Sequence, residues 1–155
     1  MKLRFEKSSR HAKITGEFGE SLILYWLSKH GYECAKVDHT GIDIIARHPR
    51  SQEVLGISVK SRSRIPGTEG SHLAIPRKEF LKARQACRAF KCVPYFALVI
   101  DAGATTRAFL LPMKRLLKLC PGQRVAAWQM GDSRLRMYYA DPNITVIELN
   151  NSRQW

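Results

Sequence analysis

GIDIIARHPRSQEVLGISVKSR, the stretch from Gly41 to Arg62, decides how this chain folds and where its chemistry lies. It contains two runs rich in Ile and Val, separated by the turn-forming residues 49–51. Such runs on either side of a short polar turn are typical of neighbouring antiparallel strands. The pattern therefore predicts a strand at Ile42–Ala46 and a second strand at Glu53–Ser61, joined as a hairpin.

The alternation of side chains in a strand places the polar residues of this hairpin together. Asp43 and Ile45 are expected on one face of the first strand, opposite Ile42 and Ile44. Ser58 and Lys60 share a face of the second strand, so Asp43 and Lys60 can project from one surface. Burying an aspartate beside isoleucines is costly unless it is paired or binds a cation.

Two interpretations of this pair remain open from the residues alone. A hard cation such as Mg²⁺ would satisfy Asp43 and bring phosphate oxygens with it. Hydrolysis of a phosphodiester requires such a metal, and a lysine that stabilises charge or orients water. The alternative is a structural ion pair between Asp43 and Lys60 at the edge of a sheet.

The segment before the hairpin predicts one long helix. TGEFGESLILYWLSKHGY begins at Thr15, a good N-cap residue, and Gly31 can end the helix in a left-handed conformation. The helical wheel places Glu20 at the flank of the apolar face, near the edge of the core. The members of that apolar face are Phe18, Leu22, Ile23, Trp26 and Leu27. A strand at Glu33–Asp38 follows.

The segment after the hairpin predicts a loop, a helix and further strands. Pro, Gly and polar residues at 62–73 indicate a loop, and Pro76 suits the first turn of a helix that reaches Phe90. VPYFALVID is expected as a buried strand that pairs with TRAFLLP, and MKRLLKLC as a short helix. RVAAWQM, RLRMYYA and ITVIEL are expected as strands. The order α-β-β-β-α-β with C-terminal β structure favours a mixed α/β fold with helices flanking the sheet.

Length and domain organisation point to a single unit. The 155 residues fit one domain, 1–155, with a basic and flexible arm at 1–13, a core at 14–101 and a C-terminal extension at 102–155. No apolar run reaches the roughly 18 residues that span a bilayer, so no membrane partner is expected. The four cysteines have no paired CxxC spacing, which argues against zinc and favours a reducing, cytoplasmic setting.

Positive charge is the strongest global signal. The chain has 26 Lys and Arg against 13 Asp and Glu, a formal net charge of +13. Nine basic and only two acidic residues lie between Lys60 and Lys91. This concentration favours a polyanionic partner, since neutralised phosphates release condensed counterions. A basic surface kept for solubility is the alternative. The motifs of P-loop, Rossmann, Ser/His/Asp and HExxH enzymes do not occur.

Three segments together resemble one enzyme superfamily. GEFGESLILYWLSKHGYE, TGIDIIA and GISVKSR, within residues 16–101, are similar to the PD-(D/E)XK nucleases, especially the Holliday-junction-resolvase-like and restriction-endonuclease-like branches. The resemblance implies a restriction-endonuclease-like αβββαβ core and an endonuclease that hydrolyses DNA with Mg²⁺ or Mn²⁺. Branched or structured DNA is the possible substrate, and a homodimer is plausible.

The resemblance also assigns roles to residues. The family's helix glutamate, strand aspartate and E-x-K motif fall on Glu20, Asp43, Ser58 and Lys60. Metal ligands would be Asp43, Glu20 and the backbone carbonyl of Val59, while Lys60 would assist the attacking water. Ser58 stands where the family carries an acid, and its neutral hydroxyl is a weaker ligand. Glu79 on the following helix could replace that acid as a metal ligand, or could be only a favourable acid in a first helical turn.

Basic residues after the lysine are candidates for holding the nucleic-acid backbone. They are Arg62, Arg64, Lys78, Lys82, Arg84 and Arg88. Two further functions remain open. The first is a catalytically impaired nucleic-acid-binding protein on the same fold, because of Ser58. The second is a basic structural or adaptor protein, including one that acts on RNA, in which Asp43 and Lys60 form a plain salt bridge.

Overall fold

A computed structural model describes residues 6–151 of the chain. Its elements are α1 (His11–Lys29), β1 (Glu33–His39), β2 (Ile42–Arg47), β3 (Val54–Ser63), β4 (Leu73–Pro76), α2 (Arg77–Phe90), β5 (Val93–Asp101), β6 (Thr105–Pro112), α3 (Met113–Leu119), β7 (Val125–Trp128), α4 (Asp132–Ala140) and β8 (Thr145–Asn150). The order α1-β1-β2-β3-α2-β5 reproduces the predicted αβββαβ core, with the short β4 added before α2.

A six-stranded mixed sheet organises the molecule. The strand order is β1-β2-β3-β5-β6-β8, and β4 and β7 form a separate antiparallel pair. Within the large sheet β3 and β5 are parallel, and the other neighbouring strands are antiparallel. The parallel pair requires a crossover, which α2 provides. The predicted pairing of VPYFALVID with TRAFLLP is confirmed as β5–β6.

Helices cover both faces of this sheet. Ile23 and Leu27 of α1 are fully buried in a cluster with Ile57 and other residues of the central strands. On the opposite face, Phe80 of α2 and Leu116 of α3 belong to a second apolar cluster. Each central strand is therefore buried on both sides, which explains the nearly continuous apolar runs in the sequence.

Helix α1 differs from the predicted helix at its start and in its buried face. It begins at His11 rather than at Thr15, whose Oγ1 instead donates to the His11 carbonyl at 2.7 Å. Its buried residues are Gly19, Ile23 and Leu27, whereas Phe18 is 42% exposed. The buried stripe of α1 therefore runs through positions i, i+4 and i+8, and its first member is a glycine. A helical wheel that considers only large apolar side chains does not count this glycine, so it predicts a different buried face.

The C-terminal extension contains one element that the sequence did not predict. RLRMYYA forms part of α4, so its expectation as a strand is wrong. Tyr138 of α4 stacks on Trp128 at a centroid distance of 3.8 Å and donates its hydroxyl to the Gln129 carbonyl at 2.9 Å. Tyr138 makes these contacts from a helix that packs against β7. Tertiary packing has therefore outweighed the local preference of the segment for a strand. No helix of residues 6–151 is long and apolar enough to cross a membrane.

Candidate functional site

The candidate site lies where β2 and β3 separate. Their antiparallel ladder runs from Arg47–Val54 to Ile44–Ile57. Beyond it, the Val59 N–H donates to Asp43 Oδ2 at 2.7 Å. A side-chain carboxylate therefore occupies a position at which a regular ladder would offer a backbone carbonyl, and it is fixed between two strands.

The alternation of side chains is broken at Asp43. Ile42 packs with Ala86 and Cys87 of α2, whereas Ile44 packs in the cluster on the α1 side. The prediction that Ile42 and Ile44 share one face is therefore wrong. The register irregularity between β1 and β2 in this region accounts for the difference, because an irregular ladder changes the local twist.

Asp43 is held in an environment that disfavours its charge. Burial raises the pKa of Asp43 above its ordinary value of 3.8, against the lowering effect of the Val59 N–H. The carboxylates of Glu20 and Glu79 raise this pKa further, while Lys60 lowers it. A half-buried acid near two others is an arrangement that a bound cation would stabilise.

Lys60 and Glu79 form an ion pair beside Asp43. Lys60 Nζ lies 2.8 Å from Glu79 Oε2, and Lys82 Nζ lies 3.4 Å from Glu79 Oε1. The hydrogen bond from Lys60 holds the pKa of Glu79 below its usual 4.5, against a smaller desolvation effect. The lysine's ion-pair partner is thus Glu79, so the alternative of a plain Asp43–Lys60 salt bridge is wrong.

Glu20 approaches from the other side of the sheet. It lies on α1, directly after Gly19, where a Cβ would collide with the side chain of Ser61. The glycine therefore lets α1 come close to β3. Glu20 Oε2 pairs with Lys36 Nζ of β1 at 2.9 Å, and its side chain is 27% exposed. Sequence reasoning did not identify Lys36, because a lysine on an exposed strand carries no distinguishing pattern.

Ser58 is the most enclosed of the candidate residues. It is only 2% exposed and lies opposite Phe96 in the β3–β5 ladder. This position thus holds a small neutral hydroxyl in a nearly dry environment.

The carboxylate oxygens of this site are suitable ligands for a hard divalent cation. Two of the carboxylates are paired with lysines, however, so the side chains as they stand do not form a complete metal centre. Residues 6–151 contain no group of three or more His, Cys, Asp or Glu side chains placed to hold a metal ion. Oxygen donors are nevertheless the ligands that Mg²⁺ and Mn²⁺ prefer. Asp43 makes no ion pair with any residue of 6–151, whereas Glu20 and Glu79 are engaged by lysines. A cation would have to compete with those lysines.

The basic candidates fall into two groups. Lys78, Arg84 and Arg88 are exposed on α2, as is Arg62 at the end of β3. Lys82 is half-buried beside Glu79. The four exposed side chains are open to solvent, whereas Lys82 shares its charge with Glu79.

Arg64 differs from the other basic candidates because its side chain donates hydrogen bonds within the loop between β3 and β4. Its Nη2 donates to the carbonyls of His72 and Ser71 at 2.9 and 3.3 Å. Its backbone N–H donates to the Asp101 carbonyl at 2.8 Å. The guanidinium therefore closes the loop between β3 and β4, a role that basic composition alone did not predict.

Comparison with known proteins relates this architecture to one enzyme structure. No family model and no curated protein matches the chain. A solved structure that does match is Hjc, a Holliday junction resolvase from the hyperthermophilic archaeon Archaeoglobus fulgidus. The TM-score is 0.57 at 21% sequence identity, over 79% of this chain and 88% of that chain. The chain therefore has the mixed α/β, restriction-endonuclease-like fold that the PD-(D/E)XK resemblance implies.

Proposed function

We propose that the protein is a metal-dependent nuclease that hydrolyses phosphodiester bonds in DNA, with branched DNA as its substrate. The observation that carries the proposal is the placement of Asp43, held by the Val59 N–H where β2 and β3 separate, next to the Lys60–Glu79 pair. The fold likeness to a protein named as a Holliday junction resolvase supports the same chemistry.

Each residue of the proposed site has a separate role in binding the cation or the phosphate. Asp43 and the Val59 carbonyl would hold the cation, with Glu20 or Glu79 as a further ligand once released from its lysine. When bound, Mg²⁺ or Mn²⁺ would polarise the phosphate and activate water. The Lys60 ammonium would stabilise negative charge that develops on the phosphate. Ser58 adds a neutral hydroxyl to this set.

The basic surface supplies the attraction to DNA. Lys78, Arg84 and Arg88 are exposed on α2, the helix that carries Glu79, and Arg62 is exposed near the end of β3. Phosphate contacts of this kind position a duplex without reading its sequence. The resemblance implies a homodimer on branched DNA, which light scattering coupled to size-exclusion chromatography tests directly.

A cleavage assay tests the proposal. Four-way junction, linear duplex and single-stranded DNA are incubated with Mg²⁺ or Mn²⁺ and with chelator. We expect metal-dependent cutting that falls at least about a hundredfold in Asp43→Asn and Lys60→Ala, with binding retained. Asp38→Asn, which changes an exposed acid of β1, is the matched control and should cut normally. No cutting of any substrate with either metal would refute a nuclease.

A second function is supported by one observation. Ser58 is neutral and buried, and Glu79 is already neutralised by Lys60 and Lys82. This arrangement also suits a nucleic-acid-binding protein that has lost catalysis. Such a protein would bind DNA with a steep salt dependence, would not cut it, and would be indifferent to Asp43→Asn.

A further inference from the structure

A cavity lined by basic and hydroxyl-bearing residues lies at the end of β3, beyond the candidate site. It measures about 430 Å³ and is formed by the first turns of α1, by residues 7–9 before this helix, and by residues 61–63. The described residues that line it include Lys7, His11 and Arg62, together with four serines, and none of them is acidic. A concave surface with basic groups and hydroxyls is suited to an anion.

Two polar atoms of the cavity walls lack a protein partner. His11 Nε2 and Ser61 Oγ are buried and make no hydrogen bond within the described residues. Leaving such atoms unsatisfied costs about 1–3 kcal/mol each. An imidazole nitrogen can donate to an acceptor oxygen, so a ligand rich in acceptor oxygens beside His11 would satisfy it, whereas Ser61 Oγ faces Gly19 of α1.

The residues that line the cavity include cations but no acid, and the nearest carboxylate contact is that of Asp101 Oδ2, which accepts from Ser63 Oγ at 3.2 Å. Lys7 Nζ reaches across to the Ser63 carbonyl and hydroxyl, at 2.6 and 3.2 Å, and thereby ties the segment before α1 to β3. The first turn of α1 has neither an acidic residue nor a capping side chain. The positive end of this 19-residue helix therefore adds to the two cationic side chains that line the cavity.

The position of the cavity relates it to the proposed reaction. Ser61, Arg62 and Ser63 are the three residues that directly follow Lys60 on β3, a strand that rises about 3.3 Å per residue. The cavity thus begins next to the lysine and extends roughly 10 Å beyond it. A nucleic-acid strand held at Lys60 can place another of its phosphates there.

We propose that this cavity binds an internal phosphate of the DNA strand, near the phosphate that is hydrolysed at the site of Lys60 and Asp43. The inference rests on the proposed function for the identity of the strand. It assigns to Lys7 and His11 the role of fixing the register of the strand relative to the site.

The first test uses inorganic phosphate as the probe. Phosphate is titrated into the whole protein while the imidazole carbon-bound proton signals of its five histidines are followed by NMR. We expect a saturable shift of the His11 signal, assigned by its loss in His11→Ala, and a clear weakening in Lys7→Ala. Chloride at equal ionic strength should not produce it. Lys29→Ala, at the opposite end of α1, is the matched control and should behave as the wild type.

The second test measures DNA binding against salt concentration by fluorescence anisotropy. The double variant Lys7→Ala/His11→Ala should bind about tenfold more weakly, with a slope of log K against log salt reduced by about one. Oligonucleotides with a 5′-hydroxyl and a 5′-phosphate should lose affinity equally. A loss seen only with the 5′-phosphate would refute an internal phosphate and indicate strand-end recognition.

The outcomes separate this inference from the proposed function. DNA binding that is unchanged in the double variant, with no His11 shift on adding phosphate, would refute the cavity's role and leave the nuclease proposal intact. A phosphate-dependent His11 shift without any DNA binding would instead refute the nuclease and the strand assignment together. Circular dichroism of each variant verifies that it is folded.

Discussion

Lys60 of β3 and Glu79 of α2 form an ion pair with a separation of 2.8 Å. This contact joins the strand that carries the candidate site to the helix that carries the basic surface. It also neutralises the only acid in the first turn of α2. The same carboxylate is thereby a partner for Lys60 and a potential ligand for a cation near Asp43, and the two uses compete.

Glu79→Gln should lower stability at neutral pH by about 1 kcal/mol, the order of one charge-assisted hydrogen bond in a partly exposed pair. The pKa of Glu79 is lower in the folded protein than its usual 4.5. Its contribution is therefore present above pH 4.5 and is lost as pH falls through the folded value. Urea unfolding at pH 7 and at pH 3 should show a difference from wild type that shrinks in acid.

The control for this substitution is Glu33→Gln, at an exposed position of β1. It should leave stability within about 0.5 kcal/mol of wild type at both pH values. If Glu79→Gln lowered the free energy of unfolding by the same amount at pH 3 as at pH 7, the loss of stability could not come from the ion pair. Mg²⁺ binding measured calorimetrically should also weaken in this variant if Glu79 is a ligand.

Asp43→Asn should stabilise the protein at neutral pH while it removes cleavage. The pKa of Asp43 is raised, chiefly by burial, so the charged form is disfavoured in the folded state. The stability associated with this group is full below pH 3.8 and is lost as pH rises through the folded pKa. Asparagine can still accept from the Val59 N–H without the charge, so we expect a gain of roughly 0.5–1 kcal/mol at pH 7.

Thermal unfolding between pH 3 and pH 7 measures this gain. The variant and the wild type should be similar at pH 3 and should diverge as pH rises. In the presence of Mg²⁺ the order should reverse, because the cation stabilises only the wild type. A variant that is less stable than wild type at pH 7 in chelator would show that the carboxylate is structural.

Ser58→Glu tests whether the neutral hydroxyl limits the site. Ser58 is 2% exposed, so a carboxylate there should cost at least about 2 kcal/mol in chelator. Mn²⁺ at a hundred times its dissociation constant should raise the free energy of unfolding of this variant by about 2.7 kcal/mol. Ser58→Ala, the control, should show neither effect in urea unfolding. Increased cutting by Ser58→Glu would indicate an impaired natural site, whereas unchanged or reduced cutting would indicate a site complete without that acid.

The sequence predicted the core order because its signals are local. Alternating apolar runs around the turn at 49–51 gave β2 and β3, and Asp43 stood out as a charge between isoleucines. The Lys60–Glu79 pair could not be derived in this way, since it depends on how α2 crosses back over the sheet. Ser58 and Lys60 were placed on one face by period alone, but the burial of Ser58 follows from the parallel partner β5, which no local pattern reveals.

RLRMYYA shows the opposite case, in which local propensity misled. Its Tyr and Leu residues favour a strand, yet Tyr138 must lie flat on Trp128 for its hydroxyl to reach the Gln129 carbonyl. The segment forms α4, whose Tyr138 packs on Trp128 of β7. Tertiary packing of one aromatic pair therefore outweighed the propensity of the segment.

Gly41→Ala should disturb the site from outside it. Gly41 has a φ of +105°, and a Cβ there would meet the backbone of Lys82 and Ala83 in α2. The glycine thus lets α2 lie directly against the start of β2, which places Glu79 near Asp43. We expect a loss of at least about 2 kcal/mol in urea unfolding, from strain and from the collision together, and a loss of cleavage.

Gly16→Ala is the matched control for this glycine. It lies inside α1, and an added Cβ would meet nothing within 4 Å. The substitution should therefore raise stability by about 0.5–1 kcal/mol through helix propensity and leave cleavage unchanged. If Gly41→Ala were as stable and active as Gly16→Ala, the close approach of α2 to β2 could not be what positions the Lys60–Glu79 pair. The contrast between two glycines in one chain thus tests whether backbone proximity, rather than side-chain chemistry alone, builds the candidate site.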